Sequence, residues 1–423
     1  MASYLRNILF VFILFISFDA FGLREQGEGG LGNSNAGIYG ILQLLFLGVL
    51  LVFMAFHFIF YRDIFLKDAL SVAIHLLFLL FVVEFLASAM KSISGQYPFG
   101  GLMHNVYALK YYLVFFYITF WYRDAFSITE MFNTLLYAAV FSSSLFFIFV
   151  YVHEFPSLIQ KLPSEELGRE LRFVLPTSML MAFGVCYQIA KFVYKKITVL
   201  GIAITLLLFW GVFIQMHRNV HLGLLALGAA LFHQFFLRRV RLGYRIALYS
   251  IVGVVLVYYL SSIINKENSV VAMTVNEVTN ASGNIGIRMA LLANSSVYVY
   301  HNAPLLGIGY LWEDFDFTSM VRTLLVLAPT NDNSYTNILI VFGFFGIVIY
   351  TYLIATMFKS LSRVSKTVNP DIQVLHLTIK LVLIFILVSG FGTDNFMTYN
   401  SVVMFVILFS ALNSINNYLY AEK

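Results

Sequence analysis

Cysteine is almost absent. The 423-residue chain has one, Cys186, and it sits inside an apolar run. A disulfide within one chain is therefore excluded, and so is a metal site built on cysteine ligands. Charge is scarce as well, at 11% of residues. A water-soluble protein of this length covers its surface with far more. Three chemical signatures are missing too. No His-Glu-x-x-His pattern occurs, and no phosphate-binding glycine loop or nucleophile elbow is found. Zinc-peptidase, nucleotide-hydrolysing and lipase chemistries thus lack their usual residues. The formal net charge is +5, but the basic residues lie in short turns between apolar runs. They form no single face or stripe, so nucleic acid is not an expected partner.

What the chain does have is hydrophobic length. Apolar residues make up 60% and aromatics 17%, and the mean hydropathy is +0.85. Runs of about twenty apolar residues cross a bilayer as helices. Twelve are read here: Leu5–Phe21, Gly37–Phe60, Ala69–Met90, His104–Trp121, Phe132–Val152, Phe173–Val193, Thr198–Gln215, Val220–Phe236, Tyr244–Ser262, Tyr335–Phe358, Gln373–Gly390 and Met397–Asn413. The first is read as a spanning helix rather than a signal peptide, because no clear small-x-small cleavage site follows it. The expected organisation is nine helices in residues 1–262, a long polar loop over 263–333, and three helices in 334–423.

Lysine and arginine in the short loops set the orientation. One set of loops carries Arg62 and Lys67, Arg123, Lys191 with Lys195 and Lys196, Arg238 with Arg239, Arg241 and Arg245, and Lys359 with Arg363 and Lys366. The alternate set is sparser and mixes its cations with acids, as in Arg24 beside Glu25 and Glu28. The first set is therefore expected on the cytoplasmic side. Both termini follow it, and the long loop faces outside.

Basic residues on the outer side run against that bias. They are Arg169, Arg172, Arg218, Arg288 and Arg322. External guanidinium groups near a bilayer suit an anionic ligand, since they grip phosphate through two parallel hydrogen bonds. The plainer reading is loop arginines paired with loop acids. Arg218 fits that reading least, because it closes a short apolar turn with only His217 and His221 nearby. Those histidines are four apart but lack a carboxylate in the same turn, so no metal site is expected. Inside the spans, Glu84 and Lys110 fall at similar depths on consecutive helices. An ion pair facing the bundle interior is the expected outcome, acting as structural glue.

The long loop holds Gly286-Ile287-Arg288, then His301-Asn302-Ala303-Pro304-Leu305-Leu306-Gly307-Ile308-Gly309. It ends at Pro329-Thr330-Asn331-Asp332-Asn333-Ser334, and the next helix carries Phe342-Gly343-Phe344-Phe345-Gly346. One of Asp332, Asn333 and Ser334 is needed as a helix cap. The other two are not. Tyr298, Tyr300, Tyr310 and Trp312 in this loop could pack against each other or stack on sugar rings.

These segments, in this order and topological position, resemble the bacterial O-antigen polymerase and ligase superfamily. The loop arginine and the Pro-Leu-Leu-Gly-x-Gly segment match Arg288 and Pro304 to Gly309. Phe342-Gly343 and Gly346 match the family's Phe-Gly-x-x-Gly. Of the turn around Met216 to Gly223, only Arg218 and Gly223 match. Asp332-Asn333 stands where the family has His-Asn.

The resemblance implies an all-α, GT-C-like integral membrane protein of about twelve helices, with one long external loop between helices 9 and 10. It implies a multi-pass enzyme of the bacterial inner membrane. Such an enzyme moves a glycan from an undecaprenyl diphosphate carrier to an acceptor glycan, with membrane lipid and a chain-length regulator as further partners and no metal or cofactor. Arg218 and Arg288 are then expected on the diphosphate, and Asp332 as the base that takes the acceptor proton. His301 is a second candidate for that proton. Arg169, Arg172, His221, Arg322, Asn333 and Tyr335 are expected around the substrate. The missing histidine favours a polymerase of repeat units over a ligase. A transporter or flippase is the other class. Against it stand the absence of a visible internal repeat and the long external loop.

Overall fold

The computed structural model describes residues 2–18, 38–60, 68–94, 107–151, 160–164, 169–174, 177–213, 218–235, 334–365, 369–390, 396 and 399–421. In the long loop it describes 293, 296, 297, 299–301, 303–307 and 309. The elements are α1 (Ala2–Phe18), α2 (Ile38–Phe60), α3 (Ala69–Ile93), a 3-10 segment (Tyr107–Leu113) running into α4 (Val114–Trp121), and α5 (Ala125–Tyr151). A hairpin follows, β1 (Gln160–Ser164) and β2 (Arg169–Val174). Then come α6 (Ser178–Tyr194), α7 (Val199–Phe213), α8 (Arg218–Phe235), α9 (Ser334–Val364), α10 (Pro370–Ser389) and α11 (Tyr399–Ala421).

Eleven of the twelve expected runs coincide with helix, and the ninth, Tyr244–Ser262, lies outside the described residues. Among the described residues, five helices are long and apolar enough to cross a membrane, those built on α3, α5, α9, α10 and α11, and five shorter apolar helices accompany them. Three features were not expected. The fourth run begins as a 3-10 segment around Lys110. The sixth helix starts at Ser178, later than Phe173, because that residue belongs to an antiparallel strand pairing Lys161 with Phe173 and Leu162 with Arg172. The helix α9 also contains a break at Gly343.

The bundle is organised around α10 and α11. In their spanning windows 72% and 83% of residues are buried, against 39% in α9. Most of the other described helices pack against one of these two pillars, and large apolar side chains on them stay exposed. Hydroxyls inside the pillars are satisfied by their own helix. Ser389 Oγ donates to Phe385 O at 2.7 Å and Thr378 Oγ1 to Val374 O at 2.7 Å. This lets polar side chains sit in an apolar interior without an orphaned donor. The start of α10 is set locally. Asn369 Oδ1 accepts the Asp371 N–H at 2.9 Å, and Pro370 occupies the first turn, where no backbone donor is needed. Small residues permit close helix approach elsewhere. Gly211 of α7 faces Ser143 of α5 and Met181 of α6, and Ser143 Oγ donates to Leu207 O at 2.9 Å.

One end of the bundle, here the basic end, gathers several described helix ends that carry basic residues. Arg6 of α1 pairs with Glu130 of α5. Arg363 Nη1 of α9 meets Asp68 Oδ1, just before α3, at 3.0 Å. Asn416 Nδ2 of α11 donates to Asp68 Oδ2 at 3.3 Å. Lys195 Nζ, after α6, meets Asp371 Oδ1 of α10 at 2.5 Å. Arg6 near the beginning of α1 and Asn416 near the end of α11 thus lie at the same end.

Candidate functional site

The opposite end, the loop end, is built around the start of α9. Ser334, its first residue, is fully buried, and its N–H donates to Gly390 O at 3.0 Å. One residue on, Tyr335 Oη donates to Leu387 O at 2.7 Å. Both bonds fasten the start of α9 to the end of α10. Nearby, Phe396 lies between rings of Tyr335 and Tyr350, with centroids 6.2 and 5.3 Å away. Tyr112 Oη donates to Phe396 O at 2.9 Å and lies 2.8 Å from Tyr350 Oη.

The helix α8 is brought to the same place by a glycine. Gly223 packs so closely on α10 that an added methyl group would fall 2.6 Å from Phe385 Cδ2. Arg218 begins α8 five residues before Gly223, and Gly390 follows Phe385 by five. In antiparallel helices each step is about 7.5 Å toward the same end. The backbone of Arg218 is therefore level with Gly390 and so with the start of α9. Asp332 and Asn333 immediately precede Ser334 in the chain.

The long loop meets α9 lower down. Val299 and Leu339 form a small buried cluster with Ile340 and Ile347 beside it. Further along, the Phe344 N–H donates to Pro304 O at 3.0 Å and the Phe345 N–H to Leu305 O at 3.1 Å. Five residues separate each pair of contacts on both chains, so the loop segment runs alongside α9 in the same direction. The described positions 293, 296, 297 and 299–301 are helical.

The expected site residues fall out as follows. Arg218 stands at the first turn of α8. His221 is turned toward α7: its Nε2 is 3.0 Å from Phe213 O, and its ring is 4.9 Å from the Phe213 ring. It closes the short turn between α7 and α8. Tyr335 is engaged by the carbonyl of Leu387. His301 is exposed, 5.3 Å from the ring of Tyr300. Arg169 and Arg172 lie on β2, in register with Ser164 and Leu162. Arg288, Arg322, Asp332 and Asn333 lie outside the described residues, as do Tyr298, Tyr310 and Trp312. Glu84 and Lys110 are both buried, at 0% and 4% exposure. Phe81, one turn from Glu84, packs on Tyr112 at 4.6 Å, which puts the two charged residues at one level of the bundle. Among the described residues, no three His, Cys, Asp or Glu side chains gather as a metal would need.

Reading the residues missed the mutual contact of two motifs it had singled out separately. Pro304 to Gly307 and Phe342 to Gly343 touch through their backbones. Paired glycines in both segments were the signal available.

Residues 203–351 match the family model described as O-antigen ligase. The matched stretch runs from α7 to the middle of α9, about a third of the chain. It contains Arg218, Arg288, the Pro304–Gly309 segment, Asp332 and Gly343. The match supports the resemblance to the O-antigen polymerase and ligase superfamily, whose members are glycosyl-transfer enzymes of membranes acting on lipid-linked glycans. No curated protein matches the chain.

Proposed function

We propose that the chain polymerises oligosaccharide repeat units carried on undecaprenyl diphosphate, at the outer face of the bacterial inner membrane. The observation that carries this reading is the meeting of chain segments at the start of α9. The first turn of α8, with Arg218, is level with it through α10, and Asp332 directly precedes it. Arg288 precedes in the chain the loop segment whose Val299 packs on Leu339 of α9.

The chemistry follows from those three groups. The acceptor hydroxyl oxygen forms a bond to the anomeric carbon of the donor sugar. The bond from that carbon to the diphosphate breaks, and the diphosphate leaves with the electron pair. It departs as an anion, so Arg218 and Arg288 stabilise it through charge-assisted hydrogen bonds and no proton donor is needed. Asp332 takes the acceptor's proton as general base, work a carboxylate can do in place of histidine. A metal ion has no step to perform.

The description of the matched family supports a second reading, a ligase that transfers the finished glycan to a lipid acceptor. Purified protein in vesicles with lipid-linked repeat units separates the two. A polymerase yields a ladder of longer chains on the diphosphate carrier, and a ligase yields none until its lipid acceptor is added. Arg218→Ala, Arg288→Ala and Asp332→Asn are each expected to lower turnover by about 100-fold or more, the scale of losing one group that stabilises transition-state charge. Full activity in Asp332→Asn would remove the carboxylate from the mechanism.

A further inference from the structure

We infer that Gly307 and Gly343 form a backbone clasp whose task is to fix the register of the loop segment 303–307 on α9. The inference rests on the polymerase reading for its functional consequence, but not for its geometry. Gly343 interrupts α9 with φ 61° and ψ −156°, a conformation only glycine adopts readily. The break frees two N–H groups, and both are taken by the loop, Phe344 by Pro304 O and Phe345 by Leu305 O. It also frees two carbonyls. Gly307, with φ 75°, lies against them: a methyl group on it would fall 2.6 Å from Ile340 O, 2.7 Å from Val341 O and 2.5 Å from Gly343 N. The converse holds for Gly343, where a methyl group would meet Gly307 N and fall 2.6 Å from Leu305 O. Each glycine thus occupies the space that a side chain on the other would need.

Depth makes the arrangement costly to hold without a purpose. The helix α10 is 20 residues long, the length that crosses the hydrocarbon layer, and the start of α9 is bonded to its end. Gly343 lies nine residues along α9, about 13.5 Å from that boundary. Irregular backbone at such depth survives only where its polar groups are satisfied by protein or by a water-filled hollow. The turn therefore belongs to the bundle, fastened at one register. A loop held only by apolar packing could slide, and a slide of one residue would move the segment 303–307 by about 1.5 to 3.5 Å along α9. That exceeds the tolerance of a site that must hold reacting groups in line.

The lone cysteine, Cys186, is buried and does not compete for cross-linking. In Leu305→Cys/Phe345→Cys, membranes treated with a mild oxidant should give a disulfide in most molecules, because the two backbones are hydrogen-bonded. Adding Gly343→Ala or Gly307→Ala should lower that yield at least fivefold. Without the cysteines, the same glycine variants should lower kcat for chain extension at least tenfold while KM for the lipid-linked donor stays within threefold. Gly228→Ala, whose methyl group meets open space, should change neither. If Gly343→Ala fails to accumulate in membranes, Gly307→Ala alone is read, since it lies on the loop side. Cross-linking unaffected by the glycine changes would overturn the clasp. Cross-linking lost with kcat intact would overturn its positioning role, as would a rise in KM with kcat preserved. Absence of chain growth in the unaltered protein would sink the polymerase reading and leave the cross-linking result to judge the clasp.

Discussion

The two ends of the bundle are closed by different kinds of contact. At the basic end, side chains of opposite charge meet across helices: Arg6 with Glu130, Arg363 with Asp68, and Lys195 with Asp371. At the loop end, backbone carbonyls do much of the closing. Gly390 O holds Ser334 and Leu387 O holds Tyr335, and deeper in the bundle Pro304 O and Leu305 O hold the broken helix. The contrast teaches a division of labour. Ion pairs tolerate small movements, because Coulomb attraction falls off slowly and long side chains adjust. Backbone hydrogen bonds between close-packed glycines tolerate almost none. The rigid mode is found where sugar-transfer chemistry is proposed, and the forgiving mode at the end that only needs to hold helices together.

Three substitutions probe that division, in decreasing order of expected effect. Gly223→Leu should do most damage. Its side chain would drive into Phe385, cost about 1–3 kcal/mol by overpacking, and shift Arg218 from the level of Ser334. Chain extension per folded molecule should fall at least tenfold, measured in vesicles against protein quantified by size-exclusion fluorescence. Asp68→Ala comes next. Its carboxylate is 5% exposed and serves both Arg363 and Asn416. Losing it should cost about 1–2 kcal/mol, below the figure for a fully buried pair, because Arg363 is 43% exposed and keeps some water. The thermal midpoint in detergent should drop by several degrees while extension per folded molecule stays within twofold. Lys195→Gln should matter least, below about 1 kcal/mol, since both it and Asp371 are near half exposed. A midpoint shift that vanishes in high salt in the unaltered protein would confirm how small that pair is. Extension abolished by Asp68→Ala but preserved in Gly223→Leu would break the comparison outright.

Much of the architecture was legible in advance. Hydrophobic length reports helices directly, because a segment in lipid must satisfy its own backbone. The basic loops likewise predicted which helix ends gather, and the ion pairs join those same ends. The start of α10 was placed by hydropathy at Gln373, and the cap at Asn369 with Pro370 in the first turn puts it three residues earlier. The candidate site was legible only as separate motifs. Arg218 could be singled out as a cation against the charge bias, but not that Gly223 would press α8 onto Phe385 and set its level. The sequence did not show that a ring nitrogen of His221 meets Phe213 O. Nor did it show that the Tyr335 hydroxyl donates to Leu387 O.

By itself, then, the sequence determined that this is a multi-pass membrane chain, where most of its described helices lie, and which residue types were available to the candidate site. Hydropathy and charge bias act over single segments, so they can be read one segment at a time. Only the tertiary structure decided that residues 303–307 enter the break at Gly343, and that α8, α9 and α10 meet at one level. Those facts depend on backbone atoms from distant segments filling each other's vacant positions, and no single segment carries that information.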